Sequence, residues 1–367
     1  MPEPTQPQAD EHPDTSPDGA PLTAAPPPAA LPAAPAGGNP TPDAVARRAD
    51  SSDDAKPAES ASPSPASPET RRWRDVSEHG TRLGIKAVVV LATVFGRGPA
   101  RLLGFFIALY YTLTSRVARE TGDELRRRLG LPLGFRPAFQ HVRRFVQCTI
   151  DALFFLRGKT KPFRVTRNGK EHLQRLRDTG QGAVLLGAHV GSFYAMRMQS
   201  TQEALPLYPV VYTKHARRIN DVLESLDPTS RTRLIEMSGG DSIDFMLEIR
   251  ERVEAGGLVA ILGDRPPPDG KTVVVDFLGD KVALPAGPYI LAASLRCPVY
   301  FTAGLYRGGN QYELYCIPFA ERVVLPRGQR QEAIARYAQQ YADLLADFVR
   351  KAPDNWFNFF DFWDTPR

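Results

Sequence analysis

The chain opens its apolar content with two short runs, Ala87–Phe95 and Leu102–Leu113 (LLGFFIALYYTL), separated by Arg97, Pro99 and Arg101. Neither reaches the ~20 residues needed to span a bilayer. A Gly-Pro break with two arginines suits a hairpin that lies on a membrane surface or re-enters it; the other reading is a pair of buried core helices. Just before them, residues 71–82 (RRWRDVSEHGTR) are basic and carry Trp73, as an interface anchor or an ordinary helix start would. Residues 115–160 have helical periodicity. Glu124–Leu129 forms a charged face, and His141–Leu156 carries Val142, Phe145, Val146, Thr149, Leu153 and Leu156 at helical spacing. His141 and Asp151 on that helix read as surface or helix-packing residues rather than ligands.

From about residue 163 the pattern changes. Strand-length runs alternate with helical stretches: strands at Phe163–Thr166, Ala183–Ala188, Leu205–Thr213, Arg233–Met237, Leu258–Leu262, Val273–Phe277, Pro298–Leu305 and Gln311–Cys316. Helices are expected at Glu171–Asp178, from Ser192, at Arg217–Leu226, at Ser242–Ala255 after an Asp241 cap, at Gly287–Leu295 and at Gln331–Arg350. This alternation predicts an α/β fold: a mixed, mostly parallel sheet flanked by helices, preceded by the helical hairpin. Residues 277–288 (FLGDKVALPAGP) read as a Gly/Pro-punctuated loop.

Composition divides the chain further. Residues 1–70 hold 17 of the 34 prolines, with 11 acidic and three basic residues, a net −8 that leaves +13 on residues 71–367. Such a Pro/Ala-rich tail buries too little apolar surface to offset its ordering entropy, so disorder is expected there. It lacks the basic start and apolar core of a secretory signal. The expected organisation is a disordered acidic tail (1–70), a helical membrane-associated segment (71–160) and a catalytic-type α/β domain (161–367). The basic body would attract an anionic membrane surface or an acidic carrier protein. No nucleic-acid motif is present. Cys148, Cys297 and Cys316 are too widely spaced for a metal cluster or a disulfide framework, which fits a reducing compartment.

Three segments follow predicted strand ends and would meet at one rim. The first, GAHVGSFYAMR (187–197), puts His189 where a base belongs in such folds, with Gly191 and Ser192 at the start of a helix whose N–H groups could hold an anion or an oxyanion. Ser192 reads first as the helix cap. The second, Gly263-Asp264-Arg265, adds a carboxylate and a guanidinium. Arg265 would pair with a phosphate or carboxylate of a substrate, or form a salt bridge with Asp264 or Asp269. The third is the 277–288 loop, entering a helix at Gly287. Lys214, His215, Arg217 and Arg218 form a basic knot suited to carrier docking or to a solvated face. The aromatics Trp356, Phe357, Phe359, Phe360, Phe362 and Trp363 are too dense for a free tail and should pack back on the body or on lipid. A serine hydrolase is disfavoured, because His stands at the centre of what would be the G-x-S-x-G elbow.

GAHVGSFYAMR resembles the His-x4-acid block of bacterial lysophospholipid and lipid A late acyltransferases. GDR and VDFLGDKVALPAGPYILA resemble later blocks of that superfamily. The ending PDNWFNFFDFW (353–363) is similar to a branch of LpxL-like acyltransferases often associated with aryl-polyene-type lipid clusters. The resemblance spans roughly residues 71–367. It implies a glycerolipid-acyltransferase-like fold at the cytoplasmic face of a bacterial inner membrane. It also implies acyl transfer from an acyl-carrier-protein or CoA thioester to a hydroxyl or amine of a membrane lipid acceptor. His189 would be the general base, with no metal and no cofactor required.

The departure from the pattern is Tyr194, where the family carries Asp or Glu. A phenol can orient an imidazole but stays neutral near pH 7, so it cannot stabilise the imidazolium. Three outcomes follow. Asp264 reaches His189 from the neighbouring strand, or the enzyme runs slowly on Tyr194, or the chain is a catalytically impaired lipid- or carrier-binding homologue.

Overall fold

The apolar runs from residue 163 onward assemble side by side. The structure, a computed structural model, describes residues 82–211, 234–236, 243–266 and 270–363. The tail 1–70, Trp73, the expected helix Arg217–Leu226, the Lys214–Arg218 knot, the Asp241 cap and Asp269 lie outside the described residues. The described residues belong to one compact unit.

Four helices come first: α1 (Arg82–Val94), α2 (Arg97–Thr114), α3 (Arg116–Arg128) and α4 (Phe135–Leu156). Strands and helices then alternate as β1 (Arg164–Asn168), α5 (Lys170–Thr179), β2 (Ala183–Gly191), α6 (Phe193–Gln202), β3 (Leu207–Val211) and β4 (Ile235–Glu236). After these come α7 (Ile243–Glu254), β5 (Leu258–Leu262), β6 (Thr272–Phe277), β7 (Asp280–Pro285), α8 (Gly287–Leu295), β8 (Val299–Gly308), β9 (Gln311–Ala320) and α9 (Arg330–Lys351). Seven strands form one sheet in the order β1-β9-β8-β2-β5-β3-β4, with only β8 and β9 antiparallel. The expected mixed, mostly parallel sheet flanked by helices is therefore the architecture. β2 and β5 sit near the centre, which is why Ala183–Ala188 and Leu258–Leu262 are apolar runs rather than alternating ones.

One expectation fails here. Residues 280–285 are not a loop: they form β7, which pairs antiparallel with β6 as a separate hairpin. The alternation Lys281, Val282, Ala283, Leu284 puts Val282 and Leu284 in the core, a period-2 signal that the flanking Gly and Pro masked. The hairpin packs on α9, where the Gln339 side chain accepts from the Asp276 N–H and donates to the Asp276 carbonyl, each at 2.9 Å.

Helix α2 reverses the usual order of a core helix. Its small residues Ala100, Gly104 and Ala108 are buried in a stripe at four-residue spacing. A Cβ on Gly104 would lie 2.6 Å from the Ile150 Cδ1 atom of α4, so the two backbones approach closely. The large residues face outward: Leu102, Phe106, Tyr110 and Leu113 are exposed, as are Val90, Val94 and Phe95 at the α1–α2 corner. Among the described residues no helix is long and apolar enough to cross a membrane. The hairpin is tied to the body by a buried ion pair. Arg97 donates twice to Asp151 at 2.6 Å, and Tyr312 donates to the same carboxylate at 2.8 Å.

Asp151 and His141 are thus interior residues of α4, not surface ones. His141 Nε2–H donates to the Trp356 carbonyl at 2.8 Å. Burial outweighs that bond and lowers the His141 pKa to about 4. The unfolded chain therefore takes up a proton near pH 6.5 that the folded chain refuses until about pH 4. Stability must fall as pH drops through that window, by roughly 2 kcal/mol between pH 7 and 5 from this residue. Urea midpoints should show it. His141→Gln, which keeps a donor but cannot titrate, should give a flatter dependence over the same range.

Candidate active site

His189 lies on β2, not on a turn after it. The strand continues to Gly191, and Ser192 caps α6 by accepting from the Ala195 N–H at 3.2 Å. The end of β2 departs from regular pairing. Gly187 is opposite Thr302 of β8, yet Gly191 is opposite Gly304, so four residues of β2 advance against two of β8. The intervening residues stay in β2 but are paired with neither β5 nor β8. Val190 makes an antiparallel bridge with Trp356, and the Phe357 N–H donates to the His189 carbonyl at 2.9 Å. Gly191 closes the irregularity at φ +71°, and a Cβ there would sit 1.9 Å from the Gly304 oxygen. The Ser192 N–H then donates to that oxygen at 2.7 Å.

The neighbouring strand brings the carboxylate. β2 and β5 run parallel with Gly187 opposite Leu262; two residues further on each chain are His189 and Asp264. Asp264 Oδ1 is 2.8 Å from His189 Nδ1. Asp264 Oδ2 accepts from the His189 backbone N–H at 2.9 Å and from the Trp356 indole N–H at 3.2 Å. The Asp264 side chain is 1 % exposed, whereas 30 % of the His189 side chain reaches the surface. The carboxylate is sealed and the imidazole opens outward.

The electrostatics follow. Burial pushes the Asp264 carboxyl up, but the adjacent His189 ring, its hydrogen bonds and the Arg265 charge outweigh this and hold it well below the usual carboxylate range. For His189 burial acts first and Arg265 second, both lowering its pKa, and Asp264 only partly offsets them. The resting pair is a carboxylate beside a neutral imidazole. With Nδ1–H donated to Asp264, Nε2 keeps its lone pair: a base on the exposed side of the ring.

The other expected site residues take different positions. Tyr194 lies in the first turn of α6 with its ring edge-on to Phe193 at 5.8 Å and packs with the apolar cluster around α4. Asp264, not Tyr194, holds Nδ1. Arg265 does not bond Asp264 directly. It donates to the Phe357 carbonyl at 2.8 Å, its guanidinium lies 5.2 Å from the Phe360 ring centre, and its buried Nε has no partner among the described residues. Of the N–H groups around the start of α6, those of Ser192 and Ala195 are already engaged, by Gly304 and by the Ser192 hydroxyl. Gly287 opens α8 outside this cluster. Its neighbour Ala286 lines a cavity of about 350 Å³ with Lys271, Ile290 and Arg330. Arg330 begins α9, roughly 16 Å of helix before Tyr341, whose hydroxyl donates to the Gly187 carbonyl.

Sequence reasoning missed part of the cluster. Trp356 and Phe357 do pack back on the body, both buried, but they also hydrogen-bond into it. Tyr341 on α9 supports the strand just before His189. The sequence signal for Trp356 and Phe357 was aromatic density near the end of the chain, which cannot distinguish packing from hydrogen bonding; nothing marked Tyr341 within its helix.

No curated protein matches this chain. The bacterial lipid A biosynthesis acyltransferase family matches residues 136–365, a span that starts in α4 and includes β2, the Asp264-Arg265 segment, the β6–β7 hairpin and the residues after α9. The match covers more than half of the sequence, and the chain belongs to that family, whose members transfer acyl groups to a lipid.

Proposed function

We propose that His189 is the general base of an acyl transfer from a thioester, on acyl carrier protein or coenzyme A, to a hydroxyl or amine of a membrane lipid. One observation carries this reading: an imidazole partly open to the surface has its inner nitrogen held by a sealed carboxylate. Nε2 takes the acceptor proton as the acceptor oxygen or nitrogen attacks the thioester carbonyl. Asp264 stays ionised and stabilises the imidazolium. The tetrahedral intermediate then expels the thiolate, which recovers the proton from His189. No residue need change its covalent state. Arg265 beside the ring offers a cation to a phosphate or carboxylate of donor or acceptor.

The rival reading, a catalytically impaired binding homologue, was motivated by Tyr194. Asp264 at Nδ1 supports the enzyme reading, because a carboxylate just after β5 stands beside the ring where α6 carries no acid. We further propose that the chain associates peripherally with an anionic inner-membrane surface through α1 and α2. The outward Leu102, Phe106, Tyr110, Leu113, Val94 and Phe95 support this. So does Arg157, which donates to Thr93 at 2.6 Å and sets a cation beside that apolar corner. The aromatic ending 353–363 supports assignment to the aryl-polyene-associated branch.

The test is a product search. Purified protein is incubated with acyl-carrier and CoA thioesters and total membrane lipid, and the lipids are read by mass spectrometry. The expected result is an acylated lipid that is absent with His189→Ala. Thioester cleavage with no acylated lipid would point to hydrolysis instead. Tight lipid binding with no turnover of any thioester would favour the binding homologue.

A further inference from the structure

We propose that Trp356 is a positioning residue of the catalytic pair, acting through Asp264: residues 354–357 form a strap that locks the carboxylate in the one rotamer that serves His189. The inference rests on the reading of His189 and Asp264 as base and partner.

The geometry argues for more than packing. A carboxylate turns freely about its last bond unless both oxygens are committed. Here Oδ2 accepts from two donors of different origin, the His189 N–H of β2 and the Trp356 indole of the strap. With Oδ2 held from two sides, Oδ1 can only face Nδ1, where it lies at 2.8 Å. The strap is itself fixed from three directions. Asn355 clamps the Tyr306 backbone of β8, accepting from its N–H at 2.7 Å and donating to its carbonyl at 3.2 Å. Asp354 pairs with Arg126 of α3 and with Arg144 of α4. His141 of α4 donates to the Trp356 carbonyl. A side chain that only filled space would not need these anchors on its backbone. Among the described residues, the charged or titratable groups around the pair are Arg265 after β5 and Tyr341 of α9; those facing the strap are His141, Arg126, Arg144 and Asp354.

A hydrogen bond to Oδ2 draws negative charge away from Oδ1. Removing it concentrates charge opposite the imidazole, which favours the imidazolium. The base is then protonated at higher pH, and a carboxylate free to rotate holds the ring less well.

The experiment compares the full chain with Trp356→Phe, which keeps an aromatic ring and deletes the N–H. The control is Phe362→Leu, which loosens a ring 4.8 Å from Trp356 but makes no bond to Asp264. His189 is titrated by NMR of its ring nitrogens, independently of turnover, and kcat/KM is followed against pH. In Trp356→Phe the His189 titration and the acid limb of the profile should both move up by about half to one pH unit, and turnover should drop about tenfold. Phe362→Leu should lower the melting temperature and leave the titration in place. If Trp356→Phe fails to fold, benzothienylalanine at 356, with sulfur replacing the N–H, keeps the shape and reads the same bond. A His189 titration equal in wild type and in the variant lacking the N–H overturns the proposal. A wild type that titrates as described but transfers no acyl group leaves the strap standing and sinks the reading beneath it.

Discussion

Asp264→Asn should slow thioester turnover by about 10⁴ with the fold intact, nearly as much as His189→Ala. The reason lies in the donors around the carboxylate. Oδ2 faces two N–H groups, from the His189 backbone and the Trp356 indole. An asparagine must point its oxygen at those two, because its NH₂ there would set donor against donor. The NH₂ then faces Nδ1, which must accept, and the ring proton moves to Nε2. The imidazole becomes the wrong tautomer, with a proton where the lone pair belongs. No imidazolium stabilisation remains either, since the amide is neutral. Tyr194→Phe should change the same rate less than about threefold, because Nδ1 is already taken by Asp264. Stopped-time thiol release, with circular dichroism to verify folding, measures both. An Asp264→Asn enzyme retaining a tenth of wild-type turnover would refute the pairing. A large loss in Tyr194→Phe with none in Asp264→Asn would return the role to α6.

Gly191→Ala should destabilise the protein by about 4 kcal/mol and remove activity even in the fraction that folds. The added Cβ would meet a backbone oxygen, that of Gly304, at 1.9 Å, not the movable end of a side chain. The φ of +71° is a second penalty for any L side chain. To admit the methyl group β2 must move away from β8, which breaks the Ser192 N–H bond to Gly304. That motion carries with it His189, two residues earlier, and the cap of α6. Gly279 makes a useful contrast. Its φ is +88°, but a Cβ there meets nothing within 4 Å, so Gly279→Ala incurs only the backbone strain. Chemical denaturation of the two variants should separate them by at least about 2 kcal/mol. Equal midpoints would mean the β2–β8 irregularity relaxes easily.

Much of this was legible along the chain. The central strands were visible as apolar runs without alternation because both of their faces are covered. Gly287–Leu295 was legible as an apolar run, and the long terminal helix because its periodicity is local. The β6–β7 hairpin was hidden because Gly279 and Pro285 punctuate a segment whose alternation is only a few residues long. The hairpin of α1 and α2 left two readings open, because an apolar run does not say which of its faces will be covered. Only packing shows that the small residues of α2 go inward and the large ones outward.

The sequence alone determined that a histidine stands at the end of a buried strand, with a carboxylate and a guanidinium at the end of another, in a chain of strand–helix units. Those are local facts, set by apolar runs and by small residues at a strand-to-helix junction. Which acid serves the histidine was decided only in three dimensions. His189 and Asp264 are 75 residues apart, and the parallel register of β2 on β5 puts them two residues beyond the last paired positions on both strands. Trp356 arrives from the far end of the chain over α9, through anchors on α3, α4 and β8. Register and long-range anchoring come from the summed packing of whole elements, so no short stretch of residues encodes them.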